Sequence, residues 1–350
     1  SELPLAWNNF SPTCKSSSPS RCDVAAARAN QPPSTRAKLA LSMRILIAEP
    51  LDFSPPALAR LAAVGQVELR ACTGEELWQA FRDYDAIWLR LAHRVTGERL
   101  PPDLRCRFLA VPTTGLDHLD LDACRQRGVQ VLSLRGEVDF LRNIRATAEL
   151  TLALALALVR HVVPAARSVL AGEWNRDAFR GRELFGKTVG LVGVGRLGTL
   201  VAGYFRAFGA EVLGFDPRPD FPHDVAERVD SLDNLCARSQ LVSIHAVLDD
   251  TTRQLVGRRQ FAAMPRGAFL VNTSRGGIVD DGALVDALDR GHLAGAALDV
   301  LDGEPGITAD HPLVRYAQTH PNLLIVPHIG GNTYESFAAT ELFGPIGNAT

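Results

Sequence analysis

Several protein classes are excluded by what this chain has little of. Its six cysteines (14, 22, 72, 106, 124 and 236) form no CxxC pair and no metal-ligand spacing. There is thus no disulfide framework or zinc pattern to read, and the expectation is reduced thiols in a cytoplasmic protein with no metal site. Charge of one sign is also missing: 37 basic residues against 39 acidic ones leave a net charge of −2. That balance gives no electrostatic argument for a nucleic acid or an anionic membrane as partner. Long hydrophobic runs are lacking. The longest, Leu150–Val159, lies between Glu149 and Arg160 and is about half the roughly 20 residues a membrane span needs. It reads as a helix buried between domains. There is no internal repeat. A chain of 350 residues is long enough for two ordinary domains with real cores.

Residues 1–42 lack any apolar period and are rich in Ser, Pro, Ala and Arg; the first methionine, Met43, stands directly before the strand-like RILIAEP. This segment reads as disordered or non-native, with the fold starting near Met43. A transit peptide is the alternative, because Arg28, Arg36 and Lys38 occur among few acids.

From Met43 onward, strand and helix patterns alternate, which predicts an α/β protein with parallel sheets. Candidate strands are 44–48, 67–71, 86–90, 108–111 and 129–132, and later 188–192, 241–245, 268–272, 295–299 and 323–326. Helical spacing marks 56–64, 121–127, 146–160 and 281–290, and 171–185 reads as a loop. The most informative stretch is TVGLVGVGRLGTLVAGYFRAFGAEVLGFD, Thr188 to Asp216. An apolar strand leads into Gly193, Gly195 and Gly198, with Arg196 and Leu197 between them. A helix pattern and a second strand follow, ending at Asp216, 18 residues after Gly198. Gly193 suits a tight turn, Gly195 the approach of a pyrophosphate, and Gly198 close packing of helix on sheet. The helix N-terminus offers unpaired N–H groups to phosphates. Asp216 can accept from ribose hydroxyls, which favours NAD over NADP, although Arg218 is near enough to blur that preference.

Three further motifs follow: Asn272-Thr273-Ser274-Arg275-Gly276-Gly277, then Asp299-Val300-Leu301-Asp302-Gly303-Glu304-Pro305, then Pro327-His328-Ile329-Gly330-Gly331. With Gly115-Leu116-Asp117-His118-Leu119-Asp120, Asn143–Glu149 and Gly172-Glu173-Trp174, they occur in the order shown by the D-isomer-specific 2-hydroxyacid dehydrogenases. From about Met43 to about Ala339 the sequence resembles that family, nearest its phosphoglycerate-dehydrogenase-like branch. The resemblance implies a flavodoxin-like substrate domain (43–143 and 328–350) and a Rossmann NAD-binding domain (144–327), with a cleft between them. The implied activity is NAD-dependent interconversion of a D-2-hydroxy acid and its 2-keto acid, of the 3-phosphoglycerate or the hydroxypyruvate/glyoxylate type.

The residue types agree with that chemistry. Arg275 has a planar fork for a carboxylate. His328 can give or take a proton near neutral pH, and Glu304 would stabilise its imidazolium. Singly, each has an ordinary alternative: a strand-end histidine, a turn residue before proline, and a surface arginine. By resemblance, Asp299 meets the nicotinamide carboxamide, and Thr273, Ser274, Gly330 and Gly331 face the cofactor. The backbone of His245, Ala246 and Val247 passes over the ribose, though the family usually has proline at Val247. Leu91 and Ala92, in Arg90-Leu91-Ala92-His93, and Gly115 match loops whose backbone meets the substrate. Arg142 and Arg145, in EVDFLRNIR, are candidates for a phosphate or second carboxylate, against a solvated basic face. A homodimer is implied, through the long helix near 146–160 and the Trp174 segment. The ending FGPIGNAT, broken by Gly344, Pro345 and Gly347, is where family members usually continue with a helix. It suggests a shortened, inactive homologue as one alternative, and an NAD-sensing corepressor-like binding protein of the same fold is another.

Overall fold

The computed structural model describes residues 43–343. The expectations for residues 1–42, and for the glycine- and proline-broken end from Gly344, lie outside the described residues. The apolar runs form two all-parallel sheets.

The first sheet contains β1 (Met43–Ile47), β2 (Gly65–Leu69), β3 (Ala86–Trp88), β4 (Phe108–Val111) and β5 (Gln130–Ser133), in the order β2-β1-β3-β4-β5. Helices α1 (Pro55–Ala62), α2 (Gly74–Asp83) and α3 (Leu121–Gln126) connect them. Strand β1 is apolar from Ile45 onward because both faces are covered there: Leu46 packs with Leu77 and Phe81 on one side, and Ile45 and Ile47 with Phe53 and Leu61 on the other. Two of the helix starts have a local reason. Thr73 and Glu76 form a reciprocal capping box on α2, and Asp120 caps α3 by accepting from Ala123 N–H.

A short α4 (Val138–Leu141) precedes α5 (Ala146–Val159), the long apolar helix, and α6 (Val162–Leu170). The second sheet then runs β6 (Thr188–Val192), α7 (Arg196–Ala207), β7 (Glu211–Phe215), β8 (Glu227–Arg228), α8 (Leu232–Arg238), β9 (Leu241–Ile244), α9 (Arg258–Ala263), β10 (Ala268–Asn272), α10 (Asp281–Asp289), β11 (Leu293–Leu298), α11 (Pro312–Thr319) and β12 (Leu323–Ile325). Its order is β12-β11-β10-β9-β6-β7-β8. Both sheets are doubly wound: the first reverses direction between β1 and β3 in the flavodoxin-like manner, the second between β6 and β9 in the Rossmann manner. Ligands of such sheets bind beyond the strand C-termini at these switch points.

Helix α5 has no polar face, and it packs on α7, β10 and β11, with Ala148, Leu154, Ala155 and Leu158 buried. Among the described residues no single helix is long and apolar enough to cross a membrane. Helix α6, which the sequence pattern does not mark, starts after His161 in a left-handed turn (φ 54°) and buries none of its side chains. The stretch expected as loop at 171–185 contains one 3-10 turn, Arg176–Phe179, capped by Asn175. The described cysteines, 72, 106, 124 and 236, are free.

After β12 the chain returns to the first sheet. Helix α12 (Tyr334–Phe343) packs on α1. Its buried Glu341 accepts from Ser54 N–H at 2.7 Å and pairs with Arg90. Arg90 also lies over the Phe337 ring, 4.2 Å from its centroid. Thus the helix that closes this unit grips the base of the Arg90–His93 loop.

Candidate active site

The strand ends of the two sheets face each other across a cleft of about 820 Å³. From the second sheet it is lined by Arg196 and Leu197 after β6, by His245, Ala246 and Val247 after β9, and by Thr273, Ser274 and Arg275 after β10. Asp299 after β11 and His328, Gly330 and Gly331 after β12 complete that side. Leu91, Ala92 and Gly115 line it from the first sheet. Of the residues singled out in the sequence, Gly193, Gly195, Gly198, Asp216 and Glu304 do not line the cleft.

The glycines act beneath it. Gly193 has φ 92°, and a Cβ there would come within 2.9 Å of the His245 carbonyl. A Cβ on Gly198 would sit 2.3 Å from the Gly193 oxygen, so α7 can approach β6 this closely only with glycine. Above Gly195 the nearest atom to a Cβ would be Arg218 Nη2, at 3.7 Å, and no side chain caps the helix there. The first N–H groups of α7 therefore remain for an anion. Arg196 reinforces this. It is half-buried, among the described residues its Nη1 donates to the Leu141 and Ile144 carbonyls and to no carboxylate, and burial pulls its pKa below the usual arginine value. A dinucleotide pyrophosphate would supply the missing counter-charge, so the residues present fit NAD.

Asp216 ends β7 as expected, but its carboxylate is already engaged. It accepts from Val194 N–H at 2.9 Å and from the Arg218 backbone and side chain at 3.0–3.1 Å. Burial works to raise its pKa, and the bonds from Arg218 and Val194 outweigh that and hold it below the usual carboxylate value.

The turn after β12 is built around Asp299. Burial pushes that carboxyl up to about 6, and its two oxygens accept from Ile329 N–H (2.7 Å) and Gly330 N–H (2.9 Å). The Asp299 carbonyl accepts from His328 N–H at 2.8 Å. These bonds hold His328 in a left-handed conformation, φ 54°, of the kind that persists only where its surroundings over-determine it. His328 Nδ1 stands 2.5 Å from Glu304 Oε2, and Glu304 Oε1 accepts from Leu301 N–H at 2.6 Å. Glu304 thus sits behind the histidine, on a second cavity of about 710 Å³ that shares His328 with the cleft.

Two expectations need correction. The N–H of Ala92 is not free for a substrate: Glu49 Oε1 accepts from it at 3.3 Å and from Arg90 N–H at 2.9 Å. Arg142 and Arg145 do not reach the cleft; short α4 turns Arg142 outward, where it pairs with Asp139 at 3.5 Å. Thr273 and Ser274 line the cleft in the expected place, with their hydroxyls engaged by Thr151 at 2.8 Å and by the Ala246 carbonyl respectively. Sequence reasoning also missed Glu49 and Arg135, and gave no role to Asp117 although it stands in the Gly115–Asp120 motif; all three line the cleft. Asp117 Oδ1 lies 2.6 Å from Arg275 Nε. Among the described residues no group of three or more His, Cys, Asp or Glu is arranged to hold a metal ion.

Comparison with known proteins agrees with this geometry. A family model described as D-isomer specific 2-hydroxyacid dehydrogenase, NAD binding domain, matches residues 152–330. A D-3-phosphoglycerate dehydrogenase of Methanocaldococcus jannaschii is 35% identical over 84% of this chain and 54% of its own length. A hydroxypyruvate reductase of Thermotoga maritima is 32% identical over 84% of this chain and 93% of its own. Among solved structures, the TT0316 protein of Thermus thermophilus superposes with a TM-score of 0.73 at 36% identity, covering 86% of this chain and 94% of that one. The chain spans about half the length of the D-3-phosphoglycerate dehydrogenases it matches. The matching NAD-binding domain and the near-complete coverage of the Thermotoga and Thermus proteins lead to one assignment: the chain belongs to the D-isomer-specific 2-hydroxyacid dehydrogenase family.

Proposed function

We propose that this chain is an NAD-dependent oxidoreductase that interconverts a D-2-hydroxy acid and its 2-keto acid. The observation that carries the reading is the His328–Glu304 pair at 2.5 Å, with His328 opening on the same cleft as Arg275. Bound NADH supplies the hydride. Its phosphates would be held by the start of α7 at Gly195, Arg196 and Leu197, with Gly193 and Gly198 allowing the close turn beneath them; Asp216 would face its ribose side, and the 245–247 and 273–275 segments, Asp299, His328, Gly330 and Gly331 would line its remaining length.

The chain's own residues do the rest. Arg275 fixes the substrate carboxylate and polarises the adjacent carbonyl. His328 donates a proton from Nε2 to the carbonyl oxygen during reduction and takes it back during oxidation. Glu304 keeps a proton on Nδ1 and stabilises the imidazolium before transfer. Leu91, Ala92 and Gly115 shape the substrate side. Filling the cleft with cofactor and substrate expels bulk water, which strengthens each of these interactions.

The relatives include a D-3-phosphoglycerate dehydrogenase and a hydroxypyruvate reductase, so the substrate class we propose is a short 2-hydroxy acid of the phosphoglycerate or glycerate/glycolate type. We also propose a cytoplasmic homodimer, with a substrate unit of 43–143 and 328–350 and a cofactor unit of 144–327. Leu170 and Trp174, each 88% exposed beside the uncovered α6, are the apolar surface that supports the dimer.

NADH oxidation with hydroxypyruvate, glyoxylate, phosphohydroxypyruvate and 2-ketoglutarate tests the reading, beside a His328→Gln control. Turnover on one of them that is lost in the control is the expected result. Tight NADH binding without turnover on any of the four would sink it.

A further inference from the structure

Arg275 and Asp117 come from different sheets, one after β10 and the other in the loop after β4, and they meet across the cleft at 2.6 Å. We infer that Asp117 is a positioning residue for Arg275, fixing the guanidinium so that its terminal Nη1/Nη2 edge is presented to the substrate carboxylate. The inference deepens the proposed dehydrogenase reading and rests on it.

Guanidinium has five N–H donors. Asp117 takes the one on Nε, and the Ser274 carbonyl takes one on Nη1 at 2.7 Å. What remains is one donor on Nη1 and two on Nη2, which is the end-on edge suited to a bidentate carboxylate. The side-on Nε edge is already occupied. Gly115, two residues before Asp117, completes the seat. A Cβ there would lie 1.5 Å from Arg275 Nη2 and 2.6 Å from Cζ, so any side chain at 115 would displace the guanidinium.

The loop carrying both residues is itself pinned. Thr113 Oγ1 donates to the Gly115 carbonyl at 2.9 Å, Leu134 N–H to the Thr113 carbonyl at 3.1 Å, and Leu119 N–H to the Leu116 carbonyl at 3.0 Å. The charge state supports the pairing. Burial works to raise the Asp117 carboxyl, but the Arg275 charge and hydrogen bond outweigh it and hold it below the usual range. Asp117 therefore carries its charge at neutral pH, where a 2-keto acid is also an anion. Left unanchored, Arg275 would have to give up its rotamer freedom at every binding event.

The test compares Asp117→Ala and Asp117→Asn with wild type on hydroxypyruvate, glyoxylate, phosphohydroxypyruvate and 2-ketoglutarate, with NADH varied separately. Loss of a hydrogen bond to a charged group predicts that Asp117→Ala raises the keto-acid KM by roughly 10- to 100-fold, with a smaller effect on kcat. The KM for NADH should stay close to wild type. Asp117→Asn should recover most of the loss, because an amide oxygen still accepts from Nε. Asp117→Ser serves as the truncation if the alanine variant does not fold. An unaltered or lowered keto-acid KM in the truncation would overturn the inference, the latter meaning that Asp117 competes with the substrate anion. Equal damage in Asn and Ala variants, with a parallel loss of NADH affinity and Tm, would also overturn it and leave a structural role only. Wild-type protein silent on all four acids would remove the dehydrogenase reading and this inference with it. An active wild type beside a normal Asp117→Ala would remove this inference alone.

Discussion

Exchanging Glu304 for glutamine replaces one oxygen by nitrogen, and the geometry of the site decides which way round the amide sits. Glu304 Oε1 accepts from Leu301 N–H at 2.6 Å and Oε2 faces His328 Nδ1 at 2.5 Å. Leu301 is buried, so turning the amide oxygen away from its N–H would cost about 1–3 kcal/mol for an unpaired donor. The glutamine oxygen should therefore stay on Leu301 and point the NH2 group at the histidine. Nδ1 must then accept, and the proton of the neutral ring moves to Nε2. Oxidation needs a bare Nε2 to take the alcohol proton, and reduction needs a ring protonated on both nitrogens. Both become unfavourable. An imidazolium and a carboxylate with centres roughly 4 Å apart attract by about 4 kcal/mol at an effective dielectric of about 20. That corresponds to about 10³ in rate, and since both side chains are about one quarter exposed (24% and 27%), screening reduces it to about 10²–10³. The assay is NADH oxidation on the preferred acid across the neutral pH range. The expected result is a fall of that size in kcat, with the KM for NADH held. A Glu304→Gln enzyme within about 5-fold of wild type across the profile would refute the argument that Glu304 sets the tautomer.

Two other outcomes can be checked independently. Arg135 lines the cleft and pairs with no carboxylate among the described residues, so Arg135→Ala should raise the KM for phosphohydroxypyruvate and 2-ketoglutarate by about 10-fold while sparing glyoxylate; equal effects on all the acids would exclude a role in distal-anion recognition. Burial pulls His118 down to about 4 and His245 to about 3, so between the unfolded value near 6.5 and about pH 4 the unfolded chain binds protons that the native one refuses. Stability is then complete above about pH 6.5 and falls with acidification, by up to about 1.4 kcal/mol per pH unit for each group. Asp281 and Asp299, pushed up by burial to about 6, act in the opposite sense over the same range, so the check is comparative: between pH 7 and 5, His118→Gln should lose less Tm on acidification than wild type, and an unchanged slope would show that His118 is not one of the groups responsible.

The parts of this site legible in the sequence are those whose causes are local. Gly193 and Gly198 are needed because a turn and a helix must pass within contact distance of their neighbours. Strand β10, AFLVN, is apolar along most of its length because it is buried on both faces, and its C-terminal end is where Arg275 had to be. By contrast, Asp117 is separated from Arg275 by 158 residues, and Glu341 from Arg90 by 251. No periodicity or spacing marks such pairs, since only the packing of distant segments against one another brings them together. The basic stretch before α5 misled for a related reason: charge composition does not fix direction, and the single turn of α4 decided that Arg142 faces outward.

The same contrast explains how the cleft balances its charges. Arg275 is answered by Asp117, Arg90 by Glu341, and His328 by Glu304, each partner coming from a different element. Among the described residues, the Arg196 guanidinium meets only carbonyls. Even a half-buried cation without an anion is costly, so this site gains most from an anionic ligand, and it lies at the uncapped start of α7 where a pyrophosphate would sit. The paired arginine is different in kind. With its charge already compensated by Asp117, Arg275 contributes direction more than attraction, and direction is what distinguishes a 2-keto acid correctly placed for hydride transfer from one that is merely bound.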